Sequence, residues 1–241
     1  MYNRYDTISY AESPFGTLNQ FVSKTFGWMF AGLLVTFAAA IGTVSTGAFV
    51  MLFNTGLVFA LTIAELVLVM VLSARITKLQ PSTATAMFFV YAVLNGVNLS
   101  VYFIAYDLGT LILAFLVGAV YFGVIAVYGA NTQRDLLGWA PKLMGGLVAL
   151  IVTALVGGLF GLLFGISFGF LDVVYCGLAV LLFMGMTAYD TQMLKHHYAY
   201  FGGDAAMLQK ASIFGALNLY LDFINIFLYV VRLLGNNRRR S

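Results

Sequence analysis

Residues 218–227 read NLYLDFINIF and lie inside an apolar run that extends from about Ala211 to Leu234. A helix needs roughly 20 apolar residues to cross the hydrocarbon core of a bilayer, so this run is long enough to span it. The run nevertheless carries an ionisable side chain, Asp222, near its middle. It therefore predicts a transmembrane helix that holds a carboxyl group inside the membrane.

The rest of the chain has the same apolar character. Its 241 residues are 62% hydrophobic and only 9% charged, which excludes a soluble globular domain of this size. We predict an all-α fold, a polytopic seven-transmembrane helical bundle, with spans over residues 22–45, 48–74, 83–106, 108–130, 143–167, 171–194 and 211–234. Residues 1–21 then form an N-terminal tail, 22–234 the membrane domain and 235–241 a basic C-terminal tail.

The distribution of Lys and Arg predicts a cytoplasmic N-terminus. With this orientation the outer loops contain no Lys or Arg, and the basic residues of the cytoplasmic side are Arg4, Lys24, Arg75, Lys78, Arg134, Lys142, Lys195 and Lys210. Seven crossings place Arg232 and the final arginines outside, against the positive-inside tendency. The short tails favour a bacterial cytoplasmic membrane, and the N-terminal residues lack the pattern of a cleavable signal peptide.

Polar residues of the last span follow a helical period. Asn218, Asp222, Asn225, Tyr229 and Arg232 fall at offsets 0, 4, 7, 11 and 14, and therefore on one helix face. A charged side chain near the bilayer centre costs about 2.5–3.5 kcal/mol even on insertion-based scales. We therefore expect this face to point into the bundle and the last helix to be central.

The third span repeats the pattern with Tyr91, Asn95, Asn98 and Tyr102. Amides and hydroxyls inside a membrane either hold helices together or line an ion path, and the pattern leaves both readings open. Glu65 lies deep in the second span, in LTIAELVLVM.

Asp190 lies in MTAYDTQMLK, near the cytoplasmic end of the sixth span. It is either a solvated interfacial carboxylate or a partner of Asp222. If the two acids meet, they cannot both ionise cheaply in a low dielectric and must share a proton. Such a pair is a pH-sensitive latch, closed while the proton bridges it. Arg75 is a candidate cation for the charged carboxylate, or simply marks the membrane border.

The fifth span carries Gly157, Gly161, Gly165 and Gly169, one small residue every fourth position. This spacing is typical of a helix that a neighbour approaches closely. We therefore predict a packing role for the glycines.

The segments AYDTQMLK (188–195) and LNLYLDFINIFLYVVRLLG (217–235) resemble the signature region of the Bax inhibitor-1 family. The resemblance extends over the whole chain, and YLDFIN is its most specific element. It implies six helices around the seventh and a pH-sensitive calcium leak.

The same resemblance implies that Asp190 and Asp222 form the pH sensor, that Arg75 contacts one of them in the closed state, and that Glu65 lines the path. Calcium prefers oxygen ligands, and the oxygens are offered by Asp190, Asp222, Glu65, Asn218, Asn225, Asn95 and Asn98. No cofactor is expected beyond calcium as the transported or bound ion.

Other functions remain open at this point. A proton-coupled calcium exchanger would use the same acids, and a non-conducting modulator of a membrane protease or of cell-death proteins is also implied by the family. An intramembrane aspartyl protease uses two aspartates, but its G-x-G-D motif is missing around Asp222. We therefore expect no enzyme activity.

Membrane lipid, calcium and protons are the expected partners, and no basic footprint indicates nucleic acid.

Overall fold

The computed structural model describes residues 16–165 and 169–238. Regular secondary structure in these ranges is helical, and seven helices are long and apolar enough to cross a membrane. The predicted all-α transmembrane fold is confirmed. The parts of the predicted tails in residues 1–15 and 239–241 lie outside the described residues.

The first half of the chain forms α1 (Leu18–Ser45), α2 (Ala48–Asn54), α3 (Leu57–Arg75) and α4 (Pro81–Ala105). A capping box starts α1: the Thr17 hydroxyl accepts the backbone N–H of Gln20 at 3.4 Å, and Gln20 Oε1 accepts the backbone N–H of Thr17 at 3.0 Å. Pro81 occupies the start of α4, where its missing N–H would have no helical partner.

The window predicted as one span over 48–74 is interrupted in the structure. Gly56 has a φ of +71°, a left-handed conformation that separates the short helix α2 from α3. Only α3, with 19 residues, is long enough to cross the membrane in this part of the chain. The second predicted span is therefore correct for α3 and wrong for residues 48–56.

The second half forms α5 (Leu108–Asn131), a 3-10 turn (Leu137–Trp139), α6 (Ala140–Phe164), α7 (Phe170–Phe201) and α8 (Ala205–Arg238). α7 and α8 contain 32 and 34 residues, more than a bilayer requires. Their extra turns continue past the predicted ends of the sixth span and before the predicted start of the seventh.

The chain divides into two compact units that each take part of α8. The first combines the chain up to Leu108 with Met193–Tyr220, and the second combines Gly109–Gln192 with the chain from Leu221 onward. α8 is the most buried span, with 67% of its apolar window buried, whereas the other spans have 33% or less. This burial agrees with the central position predicted for the last helix.

α6 has the opposite character, since no described residue of this helix is buried. Side chains such as Leu155 and Leu162 expose 69% and 83% of their surface. An apolar helix with exposed apolar side chains is suited to contact with lipid.

Candidate functional site

Asp190 and Asp222, the two acids predicted to meet, lie together in the structure. Asp190 is on α7 and Asp222 is on α8, and they are buried, with 6% and 1% of their surface exposed. The Asp222 carboxyl is hydrogen-bonded to the side chain of Asp190, and the Thr187 side chain also lies beside it. Thr187 precedes Asp190 by about one helical turn, so both α7 side chains can reach the same point of α8.

A contact between two carboxyl groups needs a proton, because an ionised carboxylate can only accept hydrogen bonds. Oδ2 of Asp222 is buried and has no hydrogen-bond partner among the described residues. The Thr187 hydroxyl donates to the carbonyl oxygen of Phe183 at 2.8 Å, so its single hydrogen is not available to Asp222 at the same time. These surroundings favour a pair that shares one proton over a pair of two anions.

Glu65 forms a second buried acid site, 8% exposed, on α3. Its carboxyl oxygens contact two amides of α4: Asn95 Nδ2 lies against Oε1, and Asn98 Nδ2 lies 2.5 Å from Oε2. The side chain of Tyr91, also on α4, forms a further hydrogen bond with Glu65. Three members of the polar stripe predicted for the third span therefore surround this acid.

The Glu65 site continues to two other helices. Asn95 Oδ1 lies 3.1 Å from the hydroxyl of Tyr220 on α8. That hydroxyl is 2.6 Å from Thr36 Oγ1 on α1, which in turn lies 2.9 Å from the carbonyl oxygen of Ala92 on α4. We call Glu65, Asn95, Tyr220 and Thr36 the Glu65 chain.

The last member of the α8 stripe, Arg232, pairs with Asp172 in the first turn of α7. Its guanidinium carbon lies 5.8 Å from the ring centre of Tyr175 and 5.9 Å from that of Tyr229. Both charged side chains are about one-third exposed, at 36% and 34%. Asp172 therefore has a cationic partner in addition to its favourable position at a helix start.

The remaining predicted site residues are Asn218, Asn225 and Arg75. Asn218 and Asn225 are half-buried on α8, and the Asn225 amide donates to the Leu221 carbonyl of its own helix at 2.8 Å. Arg75 is the exposed last residue of α3, and the described part of the chain shows no ion pair at it. Its contact with a sensor aspartate stays a prediction.

The acids predicted as calcium ligands do not form one cluster. In the described ranges, no three His, Cys, Asp or Glu side chains lie close enough together to hold a metal ion. The oxygens beside the acids are of the type that calcium binds, but each place offers fewer carboxylates than a high-affinity site.

Three residues of these sites were missed by the sequence reasoning: Thr36, Thr187 and Tyr220. Tyr220 lies two positions before Asp222, about 200° around the helix, and so falls outside the polar stripe of α8. Threonine in an apolar span is common because its hydroxyl can bond to its own helix. Only the spacing of Thr187 and Asp190, one turn apart, offered a signal.

Comparisons with known proteins agree with this architecture. The family model described as "Inhibitor of apoptosis-promoting Bax1" matches residues 18–239. The inner membrane protein YbhL of Escherichia coli (strain K12) is 39% identical over 228 residues, covering 93% of this chain and 95% of YbhL. An uncharacterized membrane protein of Streptococcus pyogenes serotype M3, SpyM3_0260, is 32% identical over 238 residues, covering 96% and 99%. The chain is therefore a multi-pass integral membrane protein that belongs to the Bax inhibitor-1 family.

Proposed function

We propose that the chain provides a pH-sensitive leak path for calcium, gated by Asp190 and Asp222. The observation that carries the proposal is the buried, hydrogen-bonded pair of carboxyl groups that joins α7 to α8. Ionisable groups inside a membrane are costly, and they usually mark ion or proton paths. The resemblance of the sequence to the Bax inhibitor-1 family supports the same reading.

The gate works through the charge of the pair. While one proton is shared, a hydrogen bond holds the two carboxyl groups together. When that proton leaves, two negative charges face each other in a low dielectric and repel, so the contact between α7 and α8 weakens. The leak therefore increases as the pH rises through the titration of the pair.

Calcium suits this path because it is a hard cation that binds oxygen. Asp190, Asp222 and Glu65 offer carboxylate oxygens, and the Asn side chains offer amide oxygens. With the N-terminus in the cytoplasm, and with relatives named as inner membrane proteins, the leak would operate across a bacterial cytoplasmic membrane.

The test compares calcium entry into liposomes that contain purified protein and a calcium dye. We expect wild-type entry to increase from mildly acidic to mildly alkaline pH, and Asp222→Asn to lose most of this dependence because Asn cannot release a proton. Asp135→Asn is the matched control, since Asp135 is an exposed acid that accepts the Leu137 N–H at 2.9 Å, which Asn can also do. Wild-type entry no greater than that of empty liposomes would exclude the leak.

A proton-coupled calcium exchanger is the second candidate, favoured by one observation. Glu65 is a third buried acid, outside the aspartate pair, so the chain holds more ionisable groups in the membrane than the gate uses. An exchanger moves protons in the direction opposite to calcium, whereas a leak carries calcium without any coupled movement of protons. A pH dye inside the same liposomes distinguishes the two, because only exchange changes its signal when a calcium gradient is applied.

A further inference from the structure

Three cationic residues lie together where α3 ends. Arg75 is the last residue of this helix, Lys78 follows it by three positions, and both side chains are exposed. Lys210 of α8 reaches the same place, because its ammonium group donates to the carbonyl oxygen of Thr77 at 2.7 Å. We call Arg75, Lys78 and Lys210 the α3 basic cluster.

The turn that carries the two exposed cations is fixed by hydrogen bonds. The backbone N–H groups of Lys78 and Leu79 both donate to the carbonyl oxygen of Arg75, at 2.9 and 3.0 Å. The bond from Lys210 to Thr77 attaches the same turn to α8. A ligand of the cluster therefore meets a backbone that is already ordered, and little entropy is lost when it binds.

The α3 basic cluster has no acid to balance its charge. The sequence contains no Asp or Glu between Glu65 and Asp107, and over the described ranges no ion pair involves a residue of the cluster. Lys210 is only 8% exposed, and its ammonium carries three hydrogens, of which the Thr77 carbonyl accepts one. A buried cation without a counter-ion is costly, so the cluster favours an anionic ligand.

The cluster also lies at the depth of lipid headgroups. α3 has 19 residues and is about 28 Å long, close to the roughly 30 Å thickness of the hydrocarbon core. A helix of this length that crosses the core ends at its border. Leu66 and Met70 of α3 expose 56% and 60% of their surface, so acyl chains can contact the helix itself. One element therefore offers apolar surface for the chains and cations for the phosphate of a phospholipid.

The donor groups suit a phosphate with net negative charge. A planar guanidinium binds two phosphate oxygens side by side, and a lysine ammonium binds phosphate as a compact charge. A zwitterionic lipid carries a cation of its own, which the three positive charges repel, whereas an anionic lipid does not. Basic residues at the membrane surface attract anionic lipids for this reason.

We propose that the α3 basic cluster binds the phosphate of an anionic phospholipid. Arg75 and Lys78 contact the headgroup, and Lys210 adds positive charge and holds the turn in place. The hydrogen bond between Lys210 and Thr77 then connects the lipid site to α8. The proposal goes beyond the leak and does not require calcium conduction.

Native mass spectrometry of the purified full chain in detergent tests the site. The protein is titrated with anionic phosphatidylglycerol or with zwitterionic phosphatidylcholine of the same acyl chains. We expect the first phosphatidylglycerol to bind about tenfold more tightly than the first phosphatidylcholine, because each cation near an anionic headgroup strengthens binding several-fold. Equal binding of the two lipids by the wild type would overturn the proposal.

Two double variants locate the preference. Arg75→Gln with Lys78→Gln should lose most of the preference for phosphatidylglycerol. Arg134→Gln with Lys142→Gln is the matched control, since it removes one exposed arginine and one exposed lysine from another part of the chain, and it should keep the preference. An equal loss in both variants would show a general attraction of basic residues to the lipid and would contradict a site at α3.

A further measurement uses only the wild type, so that it does not depend on the folding of variants. The full chain in nanodiscs of either lipid is treated with trypsin, and cleavage after Arg75 and Lys78 is compared with cleavage after Arg134 of the same molecules. We expect phosphatidylglycerol to slow the first two cleavages relative to the third. The same ratio in both lipids would refute a headgroup bound at the turn.

Inorganic phosphate distinguishes a lipid from a free ion. Added to the protein in phosphatidylcholine nanodiscs, it should leave cleavage after Arg75 and Lys78 unchanged, because it lacks the acyl chains that hold a lipid against α3. Protection by inorganic phosphate alone would assign the site to a soluble ion and overturn the lipid assignment. Calcium is absent from all of these measurements, so failure of the leak and failure of this site are distinguishable.

Discussion

Lys210 is a buried cation in the first half of α8, with only 8% of its surface exposed. Its ammonium group donates to the carbonyl oxygen of Thr77 at 2.7 Å, in the segment between α3 and α4. A buried ammonium is tolerated only when it has hydrogen-bond acceptors. This residue therefore attaches the segment after α3 to α8.

We predict that Lys210→Met destabilises this segment. Met retains most of the apolar side-chain volume but loses a hydrogen bond from a charged group, which typically contributes about 1.5–3 kcal/mol. Local opening should accelerate trypsin cleavage after the exposed residues Arg75 and Lys78. Lys195→Met serves as the control, and equal cleavage rates in the two variants would contradict the prediction.

The contact of Asp190 with Asp222 was one of two readings that the residues left open, and the family resemblance implied it, whereas nothing in the sequence indicated the Glu65 chain. A helical stripe identifies polar residues that share one face, and Asp222 belongs to such a stripe. Tyr220 lies on another face of α8, and sequence periodicity gives no signal there. Because α8 is buried on most sides, both faces carry polar contacts.

Close helix packing occurs at a glycine outside the stripe that the sequence indicated, and one member of that stripe has no close neighbour. Gly165, a member of the stripe predicted to pack, ends α6 with a φ of +65°, and an added Cβ would meet nothing within 4 Å. At Gly129 of α5, an added Cβ would lie 2.4 Å from the Ala188 carbonyl oxygen on α7. Regular spacing of glycines shows where an approach is possible, but the partner helix determines where it happens.

We therefore expect opposite effects from two changes on α5. Gly129→Ala should destabilise the protein by about 1–3 kcal/mol, because the backbone of α7 must move to admit the methyl group. Gly123→Ala has open space around it and should be neutral or stabilising by up to about 1 kcal/mol, since alanine favours a helix. Thermal unfolding in detergent measures both, and a Gly129→Ala variant as stable as wild type would refute the close approach.

Turn-forming residues mark the break between α2 and α3 in the sequence, but the mean hydropathy over a long window hides them. Asn54, Thr55 and Gly56 are turn-forming residues inside an otherwise apolar stretch. A window of roughly 19 residues detects a span but not an interruption of two residues within it. The hydropathy window therefore predicted that a transmembrane helix lies in this stretch, but not the residue at which α3 begins.

At the scale of the whole molecule, the ion pair at Arg232 reduces a conflict in the predicted orientation. A cytoplasmic N-terminus and seven crossings place this arginine outside, which the positive-inside tendency disfavours. Asp172 neutralises its charge, and Tyr175 and Tyr229 lie beside the guanidinium. Because its charge is paired, Arg232 disfavours the predicted orientation less than an isolated cation would.

The orientation itself can be tested with single cysteines in a Cys176→Ser background. Thr46→Cys lies between α1 and α2, and Lys78→Cys lies between α3 and α4. With the N-terminus inside, a membrane-impermeant maleimide added to intact cells should label the first variant, and the second only after permeabilisation. The reverse pattern would place the N-terminus outside.

The division of α8 between the two units has a consequence for biosynthesis. α8 is the last described helix to leave the ribosome, yet each unit contains part of it. Neither unit can complete its packing during translation of the earlier spans. Until α8 is inserted, Glu65 lacks Tyr220 and Asp190 lacks Asp222, so the nascent chain must hold these acids in the membrane without their final partners.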